Sequence, residues 1–74
     1  MDELEGVLGE LRALPGLREK TRGVFYRRSK AFLHFHEDPT GLYADVRLHE
    51  DFDRLAVTTD DERATLLALV RSVI

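Results

Sequence analysis

Two runs of alternating apolar and polar residues, within 31–37 and 42–48, flank the tetrapeptide Asp38-Pro39-Thr40-Gly41. A period of two marks a strand with one buried face, and proline followed by glycine marks a tight turn. The pattern predicts a β-hairpin with a three-residue loop, Pro39 to Gly41, and a bulge at Gly41. In that register Asp38 lies opposite Leu42, His36 opposite Ala44, His34 opposite Val46 and Phe32 opposite Leu48. One face then carries Phe32, His34, His36, Leu42, Ala44, Val46 and Leu48, and is expected to meet the helices. The other carries Leu33, Phe35, Glu37, Tyr43, Asp45 and Arg47, a mixed surface left open.

Helical spacing appears on either side of this hairpin. Leu4, Val7, Leu8, Leu11 and Leu14 form one apolar stripe that Pro15-Gly16 terminates, and Asp2 with Glu5 reads as a capping box. Gly6 and Gly9 each cost such a helix about 1 kcal/mol relative to alanine, so it depends on packing. A second capping box, Thr59 with Glu62, precedes Leu66, Leu67, Val70, Val73 and Ile74 on another stripe. Between these elements, residues 17–22 read as a charged connector and 23–28 as a strand turning at Ser29-Lys30. Residues 49–53 read as an acidic loop with Phe52 tucked beneath it, and 55–58 as a short fourth strand. The expectation is one α+β domain over residues 1–74. It is an antiparallel meander of three to four strands, flanked by N- and C-terminal helices packed on one face as a two-layer sandwich.

Composition narrows the picture. Seventy-four residues without cysteine exclude disulfides and thiolate metal sites, and a core of this size rarely supplies more than about 3–5 kcal/mol. No apolar stretch approaches the roughly 20 residues of a membrane span, and the acidic start MDELEGVLGEL fits no targeting peptide. A cytoplasmic protein without membrane contact is therefore expected. The net charge of −3 argues against bulk nucleic-acid affinity, yet seven of the eleven Lys and Arg lie between Arg12 and Lys30. The charge is segregated, with a basic first hairpin and an acidic second half.

Several short matches fit this order of elements. Leu14-Pro15-Gly16 closes the first helix, Val24 to Tyr26 precedes Ser29-Lys30-Ala31-Phe32, Tyr43 to Leu48 forms the next strand, and Leu69-Val70-Arg71-Ser72 the closing helix. With these the chain resembles the MmcQ/YjbR family of small bacterial α+β proteins with the CyaY-like fold. Two departures stand out: the segment between Leu48 and Asp60 is shorter than in that family, and its tryptophan is missing. The resemblance implies the fold and, through the family's frequent DNA-binding label, a possible nucleic-acid partner.

Candidate chemistry is sparse. His34-x-His36 places two imidazoles on one side of a strand, a spacing able to chelate a metal, with His49, Glu50 or Asp51 as a third ligand. The reading preferred for the two is hydrogen-bonded histidines at the rim of the core, and no cofactor is expected. Arg27, Arg28 and Lys30 concentrate charge at a hairpin tip beside Phe25 and Tyr26, a pattern suited to phosphates. There is no Gly-rich phosphate loop, nucleophile elbow or HExxH, and the proposed register keeps Asp45 on the side away from the histidines. A non-enzymatic interaction module is expected. It would bind a protein partner or a second copy through Leu33, Phe35, Tyr43 and Arg47, with DNA binding through the basic hairpin as the alternative.

Overall fold

The first apolar stripe winds into a helix that is shorter than its periodicity suggests. In the computed structural model, which describes residues 2–74, a 3₁₀ turn at Asp2–Leu4 leads into α1 (Glu5–Arg12). The expected capping box is not formed: Leu4 occupies the N-cap and no side chain caps the helix. Asp2 and Glu5 pair with Arg22 instead. Leu4, Val7, Leu8 and Leu11 still bury the stripe.

Five strands follow: β1 (Arg18–Thr21), β2 (Val24–Arg27), β3 (Lys30–Asp38), β4 (Gly41–Val46) and β5 (Asp53–Ala56), before α2 (Asp60–Val73) closes the chain. They form one antiparallel sheet in sequential order. The count exceeds the expected three to four because the supposed connector is β1. As an edge strand it tolerates charge, and its sequence REKT carries no apolar alternation to announce it. Glu19 ties this edge to α1 and to the β1–β2 turn, accepting from Arg12 Nε at 2.5 Å and from the Gly23 amide at 2.9 Å. β5 begins two residues earlier than expected.

Both helices and one side of the sheet enclose a single core. It joins Leu4, Val7, Leu8 and Leu11 to Phe25, Leu33, Phe35, Ala44 and Val46, and to Leu66, Leu67 and Val70. The two-layer α+β arrangement is therefore present, with the opposite sheet face uncovered. α2 starts with the anticipated reciprocal cap: Thr59 Oγ1 accepts from Glu62 N, and the Glu62 carboxylate accepts from Thr59 N. Ile74 ends exposed rather than on the apolar face. Among the described residues no helix is long and apolar enough to cross a membrane.

The central hairpin differs from expectation by one residue. Asp38 pairs with Gly41, Glu37 with Leu42, Phe35 with Ala44, His34 with Asp45 and Leu33 with Val46, so the loop is Pro39-Thr40 alone. Two contacts select this register. Asp38 Oδ1 accepts from both Thr40 N and Thr40 Oγ1, at 3.0 and 2.9 Å, pinching the corner to two residues. Thr58 Oγ1 accepts from Leu42 N at 3.0 Å, an approach open only because Gly41, at φ 150°, has no Cβ. Because side chains alternate, the slip exchanges the faces of β3. Leu33 and Phe35, expected on the open face, are 1% and 9% exposed in the core, and His34 and His36 lie on the open side. A bulge between β2 and β3 leaves Phe32 unpaired, and Phe32 and Leu33 are both buried although adjacent in sequence.

Candidate functional site on the open sheet face

The sheet register places one residue from each of four strands in a row across the open face: Val24, His34, Asp45 and Arg54. His36 stands two positions along β3 from His34. Asp45 is the hub of this row. Its Oδ2 lies 2.8 Å from His36 Nε2 and 3.7 Å from His34 Nε2. Arg54 grips the same carboxylate with both arms, Nε to Oδ1 at 2.9 Å and Nη2 to Oδ2 at 3.1 Å. The two imidazoles meet edge to face, with centroids 4.6 Å apart.

Asp45 is 15% exposed, and burial alone would favour its neutral form. The hydrogen bonds from Arg54, reinforced by His36, outweigh this and pull its pKa from the ordinary 3.8 to about 2. The carboxylate raises the Arg54 pKa in return. A fixed anion on β4 thus sits between two imidazoles of β3 and a guanidinium of the edge strand β5. Such backbone support holds side chains more firmly than a loop does.

An aromatic lid borders the row. Phe52, expected beneath its loop, instead reaches over the open face and is 36% exposed. Its ring packs edge-on against His34 at 5.4 Å and under the Arg47 guanidinium at 4.7 Å. Arg47 Nε is buried without a hydrogen-bond partner. Farther across, Lys20 stacks on Tyr26 at 4.4 Å, and Arg18 pairs with Tyr26 in the ladder.

The residues singled out from the sequence therefore separate. Tyr43 and Arg47 are on the open face as expected, without Leu33 and Phe35. Arg27, Arg28 and Lys30 remain together at the β2–β3 turn, whose corner is Arg28-Ser29 rather than Ser29-Lys30. Arg28 and Ser29 have φ of 53° and 67°, left-handed values that non-glycine residues adopt at a cost of about 1–3 kcal/mol. A cavity of about 260 Å³ opens beside this turn, with Arg27, Arg28, Lys30, Phe32, Arg47 and His49 in its wall. His49 thus belongs to the basic end and not to the His34–His36 pair, and Glu50 and Asp51 do not join that pair either; Asp45 is the third group there. The sequence reading missed Asp45 and Arg54 as partners of the histidines. The signal was available: only the two-residue loop gathers Leu33, Phe35, Leu42, Ala44 and Val46 on one face without mixing in imidazoles.

Positive charge is unevenly neutralised. Arg12, Arg22, Arg54, Arg63 and Arg71 each pair with a carboxylate. Arg18, Lys20, Arg27, Arg28, Lys30 and Arg47 have no carboxylate partner among the described residues. No protein-family model, no curated protein and no solved structure matches the chain, and its functional reading rests on this face and on the basic end beside it.

Proposed function

We propose that the protein is a small non-catalytic binding module that receives a nucleic-acid strand across its open sheet face and the basic β2–β3 turn. The observation that carries this reading is the group of six cations without carboxylate partners among the described residues, with Lys20 set on Tyr26 and Arg47 on the exposed Phe52. The remaining five arginines are each paired with a carboxylate. Unneutralised cations next to aromatic rings suit a phosphate backbone whose bases stack on side chains. The strained Arg28-Ser29 corner, which aims charge outward, is in keeping with such a role. So is the resemblance to the MmcQ/YjbR family.

The test is fluorescence anisotropy with short labelled single strands and duplexes, titrated with chelator present at low and at physiological salt. Affinity should fall steeply with salt, and Lys20→Ala or Arg28→Ala should each reduce the logarithmic salt slope by about 1. Absence of binding at low salt removes the reading. The exposed Phe52 favours a second reading, a protein partner or a second copy of the chain docking on the same face. That reading expects a Phe52-dependent complex that persists at physiological salt in sedimentation or light scattering.

A further inference from the structure

We propose that His34, His36 and Asp45 form a binding site for a divalent transition-metal ion, of which zinc is the best match. The inference is independent of the nucleic-acid reading. Two imidazoles and one carboxylate are ligands that zinc takes, in a set of three that leaves a fourth position open.

The geometry is close to that required. Zinc bonds of about 2.0–2.1 Å in a tetrahedron separate neighbouring ligand atoms by about 3.3 Å. The two N–O separations at Asp45, 2.8 and 3.7 Å, fall on either side of that edge. One ligand atom from each of the three residues lies within 4.8 Å of the others. Small tilts of the side chains, with no change of backbone, bring all three onto one ion. His34 and His36 both present Nε2 toward Asp45, and so the imidazole atoms nearest the carboxylate are those that would ligate.

The surroundings fit a metal as well. Arg54 holds both oxygens of Asp45, Nε on Oδ1 and Nη2 on Oδ2, fixing the carboxylate plane with Oδ2 turned to the histidines; an outer hydrogen bond of this kind commonly orients a metal ligand. Phe52 screens one side of His34 from water. The fourth position faces outward from the sheet, because neither helix covers this side. The competing structural role is a metal-free network in which His36 simply bonds Asp45. Zinc would break that bond and replace it with two coordinate bonds to the same atoms.

The experiment is calorimetric titration of zinc chloride into the tag-free, chelator-stripped protein, paired with thermal unfolding with and without zinc. One ion should bind per chain and raise Tm, since an ion bound only by the folded state stabilises it. Loss of an outer hydrogen-bond partner typically weakens a metal roughly 10–100-fold, and loss of a ligand should cost more. His34→Ala, His36→Ala and the near-isosteric Asp45→Asn should each weaken binding by at least that range, while His49→Ala leaves it unchanged. Cobalt substitution should give the intense visible bands of a tetrahedral site. Folding of each variant is verified by circular dichroism, and Asp45→Asn retains the size of the side chain should an alanine variant unfold. No heat and no Tm shift with zinc overturns the proposal, as does binding that survives His36→Ala and Asp45→Asn. Because the nucleic-acid assay contains chelator and this one contains no nucleic acid, either reading can fail alone.

Discussion

Along β3, Leu33 and Phe35 face the helices and are buried, while His34 and His36, each one residue away, face outward and meet Asp45 across the sheet. The inward side is closed by aliphatic side chains from both helices. The outward side carries ions, imidazoles and rings that no helix touches. The difference teaches that the hairpin register does two jobs: it builds the core and, by the same alternation, assembles the open-face cluster. A slip of one residue would bury the two histidines, part them from Asp45 and strip the core of Leu33 and Phe35, so the two faces stand or fall together.

The largest expected effect separates them directly. Leu33→Ala removes a fully buried side chain between β2 and β4 and should cost about 2–5 kcal/mol. In a domain whose core supplies only about 3–5 kcal/mol, that leaves much of the population unfolded. His34→Ala, on the other face, should stay within about 1 kcal/mol. Urea denaturation of both variants measures the contrast, and equal losses would mean that the two faces are not distinct environments. Next in size is Gly41→Ala, which attacks the device that sets the register. Its Cβ would stand 2.6 Å from Thr58 Oγ1 at a φ that side chains rarely adopt, for an expected loss of about 1–3 kcal/mol. Amide exchange should show the damage centred on the Leu42–Thr58 bridge and spreading to the His36–Asp45 contact.

Elements whose signals are local were legible in the sequence. The second helix was readable because Thr59 and Glu62 announce its start and Leu66, Leu67 and Val70 keep strict spacing. The first was readable as a stripe but not in its ends, because Asp2 and Glu5 were claimed by Arg22, far along the chain. β1 was hidden since a charged edge strand needs no apolar alternation. The site was half visible: His34 and His36 share a face in any register, whereas their partner Asp45 depended on whether Asp38-Pro39-Thr40-Gly41 contributes two loop residues or three. The corner that Asp38 and Thr40 pinch to two residues is held in place by Thr58, seventeen positions after Gly41, a contact that no local rule includes. Arg54 was out of reach for the same reason, as its place depends on the β4–β5 pairing.

A smaller change sharpens the covered side alone. Thr59→Ala removes the acceptor for Glu62 N and should cost about 0.5–2 kcal/mol, with α2 fraying first at its N-terminus. Because α2 covers the core face and does not approach the cluster, the nitrogen and proton shifts of His36 should hardly move. Heteronuclear NMR on the Thr59→Ala variant checks this. A large perturbation at His36 would show the faces to be coupled through the sheet.

The alternation of β3 recurs at β1, where Glu19 turns to the helix side and Lys20 to the open side, and pH separates the two. Arg12, the Gly23 amide and the charge of Arg22 hold the Glu19 carboxyl below its ordinary pKa, against the effect of partial burial. A carboxyl depressed in the folded state stabilises it fully above the unfolded pKa, and that contribution disappears as pH falls toward the folded value. Glu19→Gln should therefore be less stable than the parent by a constant amount above about pH 5, with the gap narrowing as both are acidified. Lys20→Ala should leave the acid limb of the stability curve unchanged, since Lys20 stacks on Tyr26 and touches no carboxylate among the described residues. Denaturant melts from neutral to acid pH on the three proteins measure the gap. A gap that stays flat into acid would place the Glu19–Arg12 contact outside the interactions that tie β1 to α1, leaving the edge strand held by its ladder with β2 alone.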